Sequence, residues 1–136
     1  MLYLALGETD AFAHDGNYDQ YLETALAQDK MIESLWTLVQ SIPQYKNRTT
    51  LLITCDHGRG DALKQQWTSH GPDIADSGEI WIAAMGPLTK GYGEMKKHRG
   101  IRQEQLAATM AAVLGLNYKP VTHVAAPPIE HIYRAK

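Results

Sequence analysis

Two short apolar runs, residues 2–6 and 50–55, each stop against a cluster of Asp and His, and the stretch between them carries the spacing of a helix. Runs this short and β-rich fit strands covered on both faces, as in a parallel sheet. Tyr18, Leu22, Ala25, Ile32, Trp36 and Val39 recur three, four or seven apart, the stripe of an amphipathic helix, with Pro43 just past its end. Residues 8–17 read as a polar loop and residues 43–49 as a turn. A third strand is expected over residues 79–85, stopped by Gly86 and Pro87, and a second helix over residues 101–114, ended by Gly115. Strands alternating with helices predict an α/β fold, a partial three-layer αβα sandwich on a mainly parallel sheet. In such sheets, sites form beyond the C-terminal ends of strands.

Five residues gather at those ends: Asp10 and His14, Asp56 and His57, and His70. Carboxylate oxygen and imidazole nitrogen suit Zn²⁺ or Mn²⁺. Asp10 and His14 lie four apart, so one turn of chain can aim both at one ion. Asp56 and His57 are adjacent and would face opposite ways in a continuing strand, so sharing an ion requires the chain to leave extended geometry, which Gly58 permits. Either motif alone is more often a capping or turn group. Both together, followed by His70-Gly71, are more specific.

Composition narrows the classes. Thirteen basic and fifteen acidic residues give a net charge of -2, with no footprint for nucleic acid. No apolar run reaches the roughly 20 residues that cross a bilayer. The single cysteine, Cys55, excludes an intrachain disulfide and reads as a core thiol. The first seven residues lack the basic start of a signal peptide, which leaves localisation open, since a longer parent can be exported.

The segments Asp10-x-x-x-His14, TTLLITCDHGRG (residues 49–60) and SHG (69–71) resemble the C-terminal ligand motifs of the alkaline phosphatase superfamily. That group includes phosphatases, sulfatases, nucleotide pyrophosphatase/phosphodiesterases and cofactor-independent phosphoglycerate mutases. The helix of residues 18–40 and the segments GEIWIAAMGP and LAATMAAVLGL are similar to what accompanies those motifs, so the resemblance spans residues 2–118. It implies that residues 1–136 are the C-terminal part of such a metalloenzyme domain, truncated on its N-terminal side, with residues 117–136 as an extended tail.

Residue by residue, the resemblance implies that Asp10, His14 and His70 bind one ion and that Asp56 and His57 bind a second. The family's second ion also uses an aspartate and a Ser or Thr nucleophile from an N-terminal strand and helix, and nothing ahead of Leu2 in this sequence supplies them. The implied activity is metal-dependent hydrolysis or transfer of phosphate or sulfate esters by the intact parent, with small esters as substrates. The alternative is a catalytically silent metal-binding fragment or interaction domain. Arg59, directly after Asp-His-Gly, is placed either to contact a substrate oxyanion or to be a surface arginine. Trp67 either walls the site or fills the core. The basic loop around His98 reads as solvated surface more readily than as a substrate-facing patch, and His123 and His131, in the tail, carry no functional signal. An exposed sheet edge left by truncation would favour a homo-oligomer.

Overall fold

The computed structural model describes residues 1–60, 66–96, 100–118, 126–129 and 132. His98, His123 and His131 lie outside the described residues, as does much of the expected tail. The chain forms two compact units: Met1–Lys46 with His57–Ile80, and Asn47–Asp56 with Trp81–Lys136.

The first unit is built on two helices. α1 spans Glu8–His14, where a polar loop was expected, with Glu8 and Asp10 in its first turn and His14 in its last. That charge order complements the helix dipole. Asn17 then caps the next helix, its side chain accepting from the Gln20 amide at 3.3 Å. α2 runs through Tyr18–Ser41, the span that the apolar stripe predicts, and stops at Ile42, which is extended as the residue before Pro43 must be. Ala13 of α1 is fully buried, yet α2 buries no residue completely, and Leu26 and Leu38 stay more than half exposed. Trp67 packs edge-on against Tyr18 and Tyr21, with ring centroids 5.3 and 5.9 Å away, so it fills space against α2. Although α2 is long, no helix among the described residues is long and apolar enough to cross a membrane.

The second unit holds β1 (Leu51–Thr54) and β2 (Ile82–Met85). They pair antiparallel, Leu51 opposite Met85 and Thr54 opposite Ile82, in a two-stranded sheet. This overturns the expected parallel sheet and with it the truncated three-layer αβα sandwich: the described fold is mostly helical, with one antiparallel strand pair. The burial pattern supplies the reason. β2 alternates between half-buried and exposed residues and β1 ends exposed at Thr54, whereas parallel strands are covered on both faces. Residues 2–6 form no strand, and Leu2, Tyr3 and Leu4 are largely exposed. An apolar run can become a strand only beside another strand's free edge, and the described residues of the first unit offer none.

The second helix predicted from sequence becomes a 3₁₀ turn, Gln103–Gln105, leading into α3, Leu106–Val113. Gly115 ends α3 at φ 71°, a left-handed conformation that suits glycine. Its N–H bonds the Ala112 carbonyl at 3.0 Å, and the Leu116 N–H bonds the Ala111 carbonyl at 2.8 Å. This is the paired closure of a Schellman motif. Residues 126–129 dock on α3 rather than trailing away. Buried Thr109 donates to the Gln105 carbonyl at 2.7 Å and accepts from the Ile129 N–H at 2.9 Å, and Gln105 Nε2 donates to the Pro127 carbonyl at 3.1 Å.

Thr109→Val keeps the shape but removes both bonds, leaving the Ile129 N–H buried without an acceptor. It should cost about 1–3 kcal/mol of stability in urea unfolding. A loss below about 0.5 kcal/mol would show that residues 126–129 are not held by this contact.

Candidate metal centre

Every residue of the candidate centre belongs to the first unit. α1 carries Asp10 and His14, one helical turn apart on the same face, with His14 Nε2 3.5 Å from Asp10 Oδ1. The expected turn at a strand end is in fact a helix, which also brings positions four apart together. His57 Nε2 lies 3.7 Å from the same oxygen, and His70 Nε2 lies 3.8 Å from it. Asp10, His57 and His70 form a group whose ligand atoms all lie within 4.8 Å of one another, close enough to hold a metal ion. His14 stands beside that group, its Nε2 3.1 Å from His70 Nε2.

The spacing can be compared with coordination chemistry. Zinc bonds of about 2.1 Å in a tetrahedron set ligand atoms about 3.4 Å apart. The separations of 3.1–3.8 Å among these atoms bracket that value. The donor chemistry fits as well, because His57 Nδ1 lies 2.9 Å from the Gly58 carbonyl. A carbonyl oxygen only accepts, so Nδ1 carries a proton, and in the neutral ring Nε2 is then the atom whose lone pair can bond an ion. Between His14 and His70, one Nε2 donates and the other accepts.

The His57 and His70 rings stack, with centroids 3.8 Å apart and planes 19° from parallel. An imidazole binds a metal in its own ring plane. Two nearly parallel rings at this spacing cannot both hold one ion in plane unless one of them turns.

Two loops deliver these rings, and Ser77 joins them. Its hydroxyl donates to the Gly71 carbonyl at 2.5 Å and accepts from the Gly71 N–H at 3.3 Å, directly after His70. Its carbonyl accepts from the Gly58 N–H at 2.8 Å, directly after His57. A Cβ on Gly58 would fall 2.4 Å from the Asp76 carbonyl oxygen and 2.6 Å from that of Glu79. The close approach therefore requires glycine, for a reason different from the freedom to bend that the sequence suggested. Ser77 was not identified from sequence. A lone Ser in a loop carries no periodic or motif signal, and its importance appears only once both loops are placed.

Asp56 follows another course. It falls in the second unit, where its backbone carbonyl accepts from Gln103 Nε2 at 3.2 Å, and it is not part of the converging group. Of the pair assigned by resemblance to a second ion, only His57 joins that group. Arg59 is not a surface arginine: its side chain is 13% exposed and pairs with Asp10 Oδ1. Compared with models of known protein families, with characterised proteins and with solved structures, the chain matches none.

Ser77→Ala removes the hydroxyl that holds Gly71. It should lower stability by about 1–3 kcal/mol and speed hydrogen exchange at the Gly71 amide. Unchanged exchange there would mean that the two loops are held by other contacts.

Proposed function

We propose that the Asp10–His57–His70 group binds a divalent transition-metal ion, Zn²⁺ or Mn²⁺, and that the centre serves hydrolysis or transfer of phosphate or sulfate esters in an intact parent protein. The observation that carries this reading is the convergence of three imidazole Nε2 atoms, from three separate stretches of sequence, on one carboxylate oxygen. Mixed oxygen and nitrogen donors at this spacing favour zinc or manganese over calcium or magnesium, which take oxygen ligands.

Asp10, His57 and His70 would hold the ion, with His14 beside them against His70. One of the stacked His57 and His70 rings would turn for both to bond that ion in plane. Such ions polarise an ester oxygen and lower the pKa of a bound nucleophile. The chain's own residues would fix ligand direction, through His57 Nδ1 on the Gly58 carbonyl and through Ser77 between the loops. A Ser or Thr nucleophile of the kind the resemblance calls for is not among the residues assigned here.

A second reading is that of an interaction domain, favoured by the exposed apolar side chains of α2, among them Leu22, Leu26, Met31 and Leu38. Each strand of the β1–β2 pair also has one edge unpaired by strand among the described residues, which on this reading would serve association through a sheet edge.

Protein purified without chelator should carry at least about one zinc or manganese per chain by elemental mass spectrometry, lost in His70→Ala. Metal-free protein whose melting temperature does not rise with added Zn²⁺ or Mn²⁺ would defeat the metal-binding reading. Metal-loaded chain should show negligible turnover of 4-nitrophenyl phosphate. A phosphatase-like rate, abolished in Asp10→Ala, would contradict the assignment of the nucleophile to another segment.

A further inference from the structure

We infer that Arg59 is the resident counter-cation of the candidate centre: it competes with the metal ion for the Asp10 carboxylate and, once displaced, turns its guanidinium to an oxyanion. This rests on the metal-binding reading above and adds a coupling between metal and anion that the ligand set alone does not contain.

The oxygen on which the ligand group closes is the one the guanidinium already uses. Arg59 Nη2 bonds Asp10 Oδ1, the same atom that lies 3.7 Å from His57 Nε2 and 3.8 Å from His70 Nε2. It also reaches the Asp10 carbonyl at 3.3 Å, and Nη1 donates to the Trp67 carbonyl at 3.4 Å. An ion bonded to Oδ1 would stand within a few ångströms of a fixed positive charge in a partly desolvated site. Two cations on one carboxylate oxygen repel strongly there. One of them must yield, and the guanidinium sits on a side chain that can swing.

Held where it stands but deprived of Asp10, the Arg59 guanidinium would lack an anion. Its side chain is 13% exposed, and Asp10 is its acidic partner among the described residues. Its other contacts are neutral carbonyls. A buried guanidinium without an anion is costly, and its forked donors match a tetrahedral oxyanion. Metal binding therefore frees the group that an oxyanion needs, and by linkage the oxyanion strengthens metal binding by the same factor.

The test is calorimetric titration of Zn²⁺ into the metal-free chain, with and without inorganic sulfate, for the wild type, Arg59→Gln and Arg59→Lys. Removing the competing charge-assisted bond should tighten zinc binding about tenfold in Arg59→Gln. Arg59→Lys, which keeps the charge, should stay within about threefold of the wild type by the same charge argument. Sulfate should tighten zinc binding in the wild type and leave Arg59→Gln unchanged. In the wild type, nitrogen-15 spectra of the Arg59 side chain should shift on adding zinc alone, a readout that needs no variant to fold. An unchanged or weaker zinc affinity in a folded Arg59→Gln, a sulfate effect that survives in it, or an unmoved Arg59 signal on zinc saturation would each overturn the inference. Zinc binding lost in His70→Ala but indifferent to Arg59→Gln would sink this inference alone and leave metal binding standing. Zinc uptake by Arg59→Gln but not by the wild type would support it. Binding by neither would remove both readings.

Discussion

One carboxylate oxygen, Asp10 Oδ1, organises the first unit. Three imidazoles and a guanidinium reach it from α1, from residues 57–59 and from the loop ending at His70. A carboxylate in such company is held by its partners and aims them in turn, which makes the surrounding hydrogen bonds consequential. His57 spends its Nδ1 proton on a neighbouring carbonyl, and Ser77 clasps the backbone after each loop histidine. The geometry thus depends on short-range backbone contacts rather than on a sheet. The rigidity that a strand end gives a ligand is replaced here by a single serine bonded on both sides.

How much of this could be read from the residues differs from element to element. α2 was legible because six apolar positions repeat at helical spacing and Pro43 marks the stop. The end of α3 was legible because Gly115 is where a left-handed residue is needed. The strand pair was legible as two β-rich runs but not as antiparallel, since direction depends on what covers each face and short runs do not encode it. Residues 2–6 misled for a related reason: apolar character says that a segment prefers burial, not that an edge is available to receive it. α1 was hidden because seven residues mixing Glu, Thr, Asp and His give too few apolar positions to show a period.

The candidate centre was legible in its residue types more than in its arrangement. Asp10 and His14 are four apart, and that spacing brings them together in a helix or a turn alike. His70 was visible through the adjacent glycine and proline. The split of Asp56 from His57 could not be seen, because adjacency in sequence suggests a shared role while the chain passes from one unit to the other between them. Arg59 was visible only as a choice between surface and substrate. Its pairing with Asp10, 49 residues away, depends on a fold that local pattern does not describe.

That separation has a thermodynamic side. Bringing Arg59 to Asp10 or His70 to His14 closes loops of 49 and 56 residues, and the entropy lost grows only with the logarithm of length. The first of these contacts bears nearly the whole cost, and each later one joins ends already held close. The cluster should therefore assemble as one event, with no stable half-formed stage. In a unit where Ala13 is the fully buried apolar side chain among the described residues, these distant segments are fastened by the cluster together with the packing of Trp67 on Tyr18 and Tyr21. Whatever cation sits on Asp10 then acts as a clasp for the chain itself, and the melting of the unit and the dispersal of the cluster become the same transition.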